Sequence, residues 1–216
     1  MFKAIIFDMD GLLVDSERIW FEAEKQVIES RGFEYTQEVR EQIIGLRLDE
    51  FMTKLHKIYG FTETVEALML ELEDMMVELI LKDVTTQPGA HEIVQWVAEQ
   101  GIPHCIASSS SKRIIDATMQ SQGWDDVFTL RYTADSVPNG KPAPDVYLLA
   151  AQGINIAPED CLALEDSPNG SRAAVAAGMT CYAVPDKSHS TPAAFKDITP
   201  HVFDSLHDVL AHLKTL

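Results

Sequence analysis

The sequence carries little positive charge. Its 216 residues include 17 lysines and arginines against 34 aspartates and glutamates, which gives a formal net charge of −17 at pH 7. A chain this acidic is repelled by nucleic acid and by anionic membrane surfaces. We therefore expect neither nucleic acid nor a membrane as a partner.

Long apolar runs are missing as well. The run near the N-terminus, between Lys3 and Asp8, holds four apolar residues, whereas the core of a secretory signal needs about 7–15. No segment approaches the roughly 18 apolar residues of a membrane span. We expect a cytoplasmic protein, and nothing in the sequence requires more than a monomer.

Cysteine is scarce and is not arranged for chemistry. Cys105, Cys161 and Cys181 are odd in number, lie far apart, and show no CxxC spacing. Each lies in an apolar, strand-like stretch, which favours reduced thiols in the core over disulfides. A metal-binding or catalytic cysteine is disfavoured, because no histidine or second cysteine stands at ligand spacing.

Short apolar runs alternate with amphipathic segments through most of the chain. The runs at 3–8, 104–109, 127–133, 161–166 and 180–185 predict strands, with a weaker sixth candidate at 201–206. Helical patterns lie near 90–100, 111–122, 144–152, 170–177 and 205–215. Apolar strands separated by such helices are typical of a parallel sheet that is covered on both faces. The fold class predicted is α/β, with a doubly wound, mostly parallel, Rossmann-like sheet.

The alternation stops between residues 17 and 83, where the pattern is helical throughout. Glycines at 32, 45 and 60 divide this stretch into three or four helices. One helix face is formed by apolar residues at helical spacing, namely Val65, Leu68, Leu72, Met75 or Met76, and Leu79. We predict an all-helical insertion, the cap, at residues 16–85, and an α/β core formed by residues 1–15 together with 86–216.

Two aspartates directly follow the first predicted strand, in the stretch FDMDGLLVDSE. Asp8 ends the strand, Asp10 comes two residues later, and Gly11 lets the chain turn sharply. Such a pair can serve a covalent step in which one carboxylate attacks and the other donates a proton to the leaving group. A turn is the plainer alternative; a calcium loop is excluded, because its glycine would have to stand at position 6 of the loop.

A serine run and a lysine follow two later strands. Ser108 ends the second predicted strand and Ser109 opens the next helix, where hydroxyls and free N–H groups suit a phosphate. For Ser110 and Ser111, helix capping is the better interpretation. Lys141 stands between Gly140 and Pro142, so it is a candidate to neutralise a phosphoryl oxygen, the alternative being a solvated loop lysine.

An acidic pair, Glu165 and Asp166, ends the fourth predicted strand. Two carboxylates that emerge from a buried strand are costly unless a cation compensates them, and Mg²⁺ prefers such oxygen ligands. In an open α/β sheet, ligands bind at the carboxyl ends of the strands. Carboxylates, a lysine and a hydroxyl gathered at that edge indicate phosphoryl transfer.

These motifs carry a family resemblance. FDMDGLLVDSE, the order and spacing of the other motifs, and the position of the helical insertion resemble the haloacid dehalogenase superfamily, in its capped phosphatase and β-phosphoglucomutase branch. The resemblance implies a nucleophilic Asp8 that forms an aspartyl-phosphate and an Asp10 that acts as general acid and then as base. It further implies that Lys141 fixes the phosphoryl group, which Ser108 and Ser109 bind.

The resemblance also implies a cofactor and a substrate class. Mg²⁺ would be held by Asp8, by the backbone carbonyl of Asp10 and by Asp166, with Glu165 close by. The expected substrate is a small phosphorylated metabolite, a sugar or polyol phosphate monoester.

In the cap, the sequence 45–47, Gly45-Leu46-Arg47, resembles the family's substrate loop. A salt bridge from Arg47 to a cap acid is an equal alternative. The stretch DSERIW, which ends at Trp20, resembles the same stretch in sugar-phosphate phosphatases, whereas mutases usually carry a histidine in this region.

Two other functions remain open at this stage. A phosphomutase of the β-phosphoglucomutase type would return the phosphoryl group to a sugar hydroxyl instead of to water. A non-catalytic phospho-aspartate signalling module shares the acceptor aspartate, acidic pair, hydroxyl and lysine, but it has no large helical insertion.

Overall fold

A parallel sheet lies at the centre of the structure, a computed structural model that describes residues 2–43, 46–188 and 190–216. The strands in chain order are β1 (Ala4–Phe7), β2 (Val14–Asp15), β3 (Thr85–Thr86), β4 (His104–Ser108), β5 (Arg131–Thr133), β6 (Cys161–Glu165) and β7 (Thr180–Ala183). Five of them form the main sheet in the order β5-β4-β1-β6-β7, and every neighbouring pair is parallel. The predicted strands at 3–8, 104–109, 127–133, 161–166 and 180–185 all appear there.

Helices cover both faces of this sheet and form the insertion. They are α1 (Glu17–Glu29), α2 (Gln37–Arg40), α3 (Leu48–Tyr59), α4 (Val65–Asp83), α5 (Ala90–Glu99), α6 (Lys112–Gln122), α7 (Asp145–Gly153), α8 (Pro168–Ala176) and α9 (Leu206–Leu213). Among the described residues, no helix combines the length and apolar character needed to cross a membrane.

The central strand β1 is apolar on both faces because each face contacts a different core. Ile5 and Phe7 join the cluster that includes apolar residues of α5, α6 and α9. Ala4 and Ile6 point the other way, into the cluster under α7 and α8. This period-2 alternation of two buried faces explains the continuous apolar run. The predicted doubly wound α/β architecture is confirmed.

The register of the sheet aligns the strand ends that matter for the site. Phe7, the last residue of β1, lies opposite Ile106 of β4 and Leu164 of β6. The residues that follow these three strands therefore emerge at the same edge, on adjacent strands about 4.8 Å apart. This alignment brings distant parts of the sequence together.

The sixth predicted strand, at 201–206, is wrong. Val202 makes an isolated bridge to Ala183, and α9 already begins at Leu206. The apolar run here is only two residues long, between Pro200 and the helix cap Ser205, whose side chain accepts the N–H of Asp208. A capped helix start thus occupies the second half of the predicted strand.

The helices α1 to α4 occupy the insertion. On α4 the fully buried residues recur every fourth position, at Leu68, Leu72, Met76 and Ile80. The face was predicted correctly at Leu68, Leu72 and, of the two methionines considered, Met76, whereas Val65 and Leu79 are only partly buried beside it. This helix contacts α1 and α3 within the insertion and α6 of the core.

A short ribbon joins the two ends of the insertion. Val14 of β2 pairs with Thr86 of β3, and Asp15 pairs with Thr85, in an antiparallel arrangement. The sequence pattern does not reveal this pairing, because two-residue strands carry no periodicity. We continue to place the boundaries of the proposed cap at this ribbon, with residues 16–85 on one side and 1–15 and 86–216 on the other.

Candidate active site

The turn after β1 is built around Gly11. Its φ of +78° lies in the left-handed region, and a Cβ at this position would stand 2.3 Å from Oδ2 of Asp166. Glycine is therefore required twice, for the backbone conformation and for the approach of Asp166. The turn holds Asp8 and Asp10 at the carboxyl edge of the sheet, where the N–H of Asp8 donates to the carbonyl of Leu164 at 3.0 Å.

Lys141 lies between two carboxylates. Its Nζ donates to Oδ1 of Asp8 at 2.6 Å and to Oε1 of Glu165 at 2.7 Å. It also donates to the carbonyl of Ala107 at 3.0 Å. The three charged side chains are buried, with Lys141 only 6% exposed. The solvated loop lysine considered above does not describe this residue.

Both oxygens of Glu165 are engaged by the protein. Oε1 accepts hydrogen bonds from Lys141 and from the hydroxyl of Tyr147, at 2.7 and 2.8 Å. Oε2 accepts the N–H groups of Asp166 and Ser167 and the hydroxyl of Ser167. A carboxylate saturated in this way orients Lys141 rather than reaching outward for a ligand.

The charges of this cluster shift one another. Burial raises the pKa of Asp8 well above its ordinary value; Lys141 opposes this, while Glu165 and Asp166 add to it. Burial alone would lower the pKa of Lys141, but the charges of Asp8 and Glu165 outweigh it and raise that pKa. The lysine therefore stays charged at neutral pH, and Asp8 needs more positive charge nearby to stay ionised.

Asp10 lies in a ring of hydrogen-bond donors. Its Oδ2 accepts from the hydroxyls of Ser110 and Ser108, at 2.8 and 3.2 Å. Its Oδ1 accepts from the indole N–H of Trp20 at 3.5 Å. Trp20 belongs to α1, so the insertion contacts this carboxylate directly.

The serine run is arranged differently from the expectation. Ser108 is fully buried and its hydroxyl accepts the N–H of Ser110. Capping was the favoured interpretation for Ser110 and Ser111, but the Ser110 hydroxyl donates to Asp10 and Ser111 makes no side-chain cap hydrogen bond. Ser109 lines the cavity described below. The capping interpretation is wrong because a charged acceptor at 2.8 Å competes with the backbone.

The acidic cluster suits a hard divalent cation. One carboxylate oxygen from each of Asp8, Glu165 and Asp166 lies within 4.8 Å of the other two, and all three residues are buried. Buried carboxylates at this separation repel one another, and oxygen donors are what Mg²⁺ prefers. Since Glu165 is saturated, Asp8 and Asp166 are the better placed ligands. The side chain of Asp10 is held by serines, so a contact from Asp10 would use its backbone carbonyl.

A cavity of about 320 Å³ opens above these residues, between the sheet and the insertion. Its floor and walls come from both parts of the chain: Asp8, Asp10, Glu17, Trp20, Glu24, Ile43, Leu46, Leu48, Phe51, Ser109, Ser110, Ser111, Lys141, Asp166, Ser167, Pro168, Asn169 and Gly170. Pockets for small molecules begin at about 300 Å³. The cavity can hold a small metabolite in contact with the candidate catalytic groups.

The predicted substrate loop of the insertion is only partly represented. Gly45 lies outside the described residues, while Leu46 lines the cavity. Arg47 is absent from the described lining; it donates to both carboxylate oxygens of Asp49, at 3.0 and 2.9 Å, and its stem lies against Gly140. This arrangement matches the salt-bridge alternative. It gives no support to a contact between Arg47 and the substrate, which stays a prediction.

Several residues of the site were not anticipated from the sequence. Tyr147 and Gly170 both serve Glu165: the first by a hydrogen bond, the second because a Cβ there would stand 1.7 Å from Oε1. Glu17 and Glu24 line the cavity from α1. In the sequence, a glutamate of an amphipathic helix that faces a cavity cannot be told from one that faces solvent. Glu17 and Glu24 therefore carried no signal of their own.

The model of the family described as haloacid dehalogenase-like hydrolase matches residues 5–184. The chain belongs to this family. The resemblance drawn from FDMDGLLVDSE is thereby confirmed.

Relatives within the haloacid dehalogenase-like family cover nearly the whole chain. A probable pseudouridine-5'-phosphatase of Drosophila melanogaster is 33% identical, over 92% of this chain and 92% of the relative. Hexitol phosphatase B of Escherichia coli K12 is 33% identical, over 84% of this chain and 83% of the relative.

Solved structures agree with the fold. CbbY from Rhodobacter sphaeroides, in complex with phosphate, superposes with a TM-score of 0.88 at 26% identity, covering 99% of this chain and 100% of that one. A putative β-phosphoglucomutase from Thermotoga maritima gives a TM-score of 0.79 at 28% identity, with 99% of each chain covered. The α/β core with a helical insertion is therefore shared along the full length of the chain.

Proposed function

We propose that the protein hydrolyses a small sugar or polyol phosphate monoester, in a Mg²⁺-dependent reaction that passes through an aspartyl-phosphate on Asp8. The chain is a phosphoric monoester hydrolase, as follows from the family match and from relatives named as phosphatases. The observation that carries the proposal is the buried contact of Asp8 with Lys141 at 2.6 Å, beside Asp166 and beneath a cavity that also contains Asp10.

In the first half-reaction, a carboxylate oxygen of Asp8 attacks the phosphorus atom and the bond to the leaving alkoxide breaks. Asp10 transfers its proton to that oxygen, so the free alcohol leaves. Lys141 places a positive charge beside the attacking oxygen and reduces the repulsion between two anions. Mg²⁺, held by Asp8, Asp166 and the Asp10 carbonyl, would supply further positive charge for the same purpose.

In the second half-reaction, Asp10 accepts a proton from water, and the resulting hydroxide attacks the phosphorus atom. The acyl-phosphate bond breaks, inorganic phosphate leaves and Asp8 is restored. The hydroxyls of Ser108 and Ser110 and the indole N–H of Trp20 all contact the carboxyl group of Asp10. These donors hold the carboxyl group in place above Asp8 through both steps.

The test is phosphate release from a panel of sugar and polyol phosphates. We expect turnover that EDTA abolishes and added Mg²⁺ restores. Asp8→Asn should lower kcat by at least about 10⁴-fold without loss of folding, since the amide cannot attack phosphorus. Asp126→Asn, which changes an exposed aspartate, is the matched control and should leave kcat unchanged. Undiminished activity of Asp8→Asn, or turnover indifferent to EDTA, would contradict the proposal.

A phosphomutase is the second candidate, supported by the likeness to the putative β-phosphoglucomutase of Thermotoga maritima. It would use the same Asp8 and Asp10 but return the phosphoryl group to a sugar hydroxyl. The indole nitrogen of Trp20 lies 3.5 Å from Oδ1 of Asp10, in the region where mutases usually carry a histidine. Trp20 therefore favours hydrolysis. Product analysis separates the two: free sugar with phosphate, or an isomeric sugar phosphate.

The signalling module is the third candidate and is disfavoured by the cavity, which a phosphate-accepting switch does not need. Its mark would be a stable acyl phosphate on Asp8 with no turnover. Acid-quenched protein incubated with acetyl phosphate would show it by mass.

A further inference from the structure

The wall of the cavity opposite Asp8 is acidic. It is formed in part by α1, where Glu17, Trp20 and Glu24 lie three and four residues apart and so share one helix face. The rest of this wall is apolar and consists of Ile43, Leu46, Leu48 and Phe51. A leaving group that extends from a phosphate at Asp8 towards the insertion would lie against these side chains.

Glu24 is held as a rigid acceptor within this wall. It is nine-tenths buried, its Oε2 accepts a hydrogen bond from the hydroxyl of Tyr35, and Nε of Arg40 lies 4.0 Å from the same oxygen. The described residues offer Oε1 no hydrogen-bond donor. Because Oε1 is not sealed from solvent, it can accept a hydrogen bond from a ligand in the cavity.

Arg40 is the cation of α2 that lies beside this wall. Arg40 donates to Oε2 of Glu17 at 3.0 Å and is not among the described residues that line the cavity. Among those lining residues, Lys141 is the single cation, and it is engaged by Asp8 and Glu165. In the part of the chain that the structure describes, this wall therefore offers acceptors for hydroxyl groups and no cation to receive a second anionic group.

We propose that Glu24 is a specificity-determining residue that accepts a hydrogen bond from a hydroxyl of the leaving group and, together with Glu17, disfavours substrates with a second phosphate or a carboxylate. The substrate class is then a monophosphate whose remainder is uncharged and hydroxyl-bearing. This inference rests on the proposed phosphatase function and narrows its substrates.

The ionisation of Glu24 gives the proposal a second readout. Burial raises its pKa to about 7; the hydrogen bond from Tyr35 and the charge of Arg40 oppose the rise, and Glu17 adds to it. These three groups face Glu24 from α1, α2 and the segment between them. The repulsion of anionic leaving groups should therefore grow between pH 6 and pH 8.

The experiment compares two substrates that differ only at one end, glucitol 6-phosphate and 6-phosphogluconate, with p-nitrophenyl phosphate as a substrate without hydroxyls. We expect the wild type to favour glucitol 6-phosphate at least tenfold in kcat/KM, and more at pH 8 than at pH 6. Glu24→Gln should reduce this ratio of kcat/KM values to less than a third of its wild-type value and remove its pH dependence. Glu24→Leu should raise KM for glucitol 6-phosphate about tenfold, and by a clearly larger factor than KM for p-nitrophenyl phosphate, which has no hydroxyl to donate.

Glu22→Gln, on the exposed side of the same helix, is the matched control and should behave as the wild type. Glu17→Gln is a second variant, for use where the Glu24 variants fold poorly. It should also weaken the preference for glucitol 6-phosphate over 6-phosphogluconate. An unchanged preference in both Gln variants, or a wild type that favours 6-phosphogluconate, would overturn the inference. Absence of hydrolysis of all three substrates by the wild type would instead contradict the proposed function, because p-nitrophenyl phosphate tests the chemistry without the wall.

Discussion

At the scale of single residues, the site separates side chains that do chemistry from those that hold them. Asp8, Asp10 and Lys141 face the cavity, whereas Tyr147 and Glu165 are buried behind the lysine and bonded to each other. Removing a residue of the second kind would move Lys141 rather than delete a reacting atom. Such changes should alter rates through geometry, which is the usual action of positioning groups.

Glu24 also provides a prediction about stability and pH. Its pKa is raised by burial to about 7 from an ordinary 4.5, so between these values the folded protein holds a proton that the unfolded chain has lost. Stability should therefore fall as pH rises through this window, by about 3 kcal/mol from this group alone. Glu24→Gln removes the penalty and should be more stable than the wild type at pH 8 but nearly equal at pH 4.5.

Urea unfolding at the two pH values measures this difference, with Glu22→Gln as the exposed control. If the free energy of unfolding changed with pH in the same way for the wild type and Glu24→Gln, the pKa of Glu24 would not be raised in the folded protein.

At the scale of elements, the turn after β1 is constrained both by its backbone conformation and by a close neighbour. Gly11 and Gly32 have the same φ of +78°, yet a Cβ at Gly32 meets nothing within 4 Å, whereas one at Gly11 would meet the carboxylate of Asp166. The two positions therefore separate the effect of backbone strain from the effect on Asp166. Both alanine variants should lose about 1 kcal/mol of stability from the left-handed backbone.

Only Gly11→Ala should also impair function, because Asp166 must move away from Asp8 to admit the methyl group. We expect at least a hundredfold loss of kcat/KM and a higher Mg²⁺ concentration for half-maximal activity. Steady-state kinetics across a Mg²⁺ titration, beside thermal unfolding of both variants, checks this. Equal activity of Gly11→Ala and Gly32→Ala would show that the turn does not position Asp166.

What the sequence reveals at this scale follows from the sheet. Asp8, Ser108 and Asp166 could be grouped in advance because each follows an apolar run, and parallel strands end at one edge. Glu24 and Tyr147 could not, since their roles depend on how α1 and α7 are rotated against neighbours far away in the sequence. The same limit explains the false strand at 201–206: a two-residue apolar run does not distinguish a strand from the approach to a helix.

At the scale of the whole molecule, the net charge of −17 and the buried acidic cluster act in the same direction. Both raise the free energy of the folded state, and a divalent cation bound there would relieve the repulsion among Asp8, Glu165 and Asp166. Binding to the folded chain alone should stabilise it by about 2.7 kcal/mol when free Mg²⁺ is a hundred times its Kd.

Thermal unfolding with and without Mg²⁺ measures this gain. Asp166→Asn should lose most of it, while Asp126→Asn, on the exposed surface, should keep it. A midpoint that does not respond to Mg²⁺ in the wild type would argue against a metal site among these carboxylates.

The pairing of β2 with β3 has a consequence for how such chains diversify. Because the polypeptide leaves and rejoins the sheet through one narrow two-stranded stem, the material beyond the stem can be lengthened, shortened or exchanged without altering the spacing of the residues beneath it. Grafting another family member's insertion at positions 16 and 85, with Trp20 kept so that its contact with Asp10 is retained, should then transfer that protein's choice of leaving group to this chain.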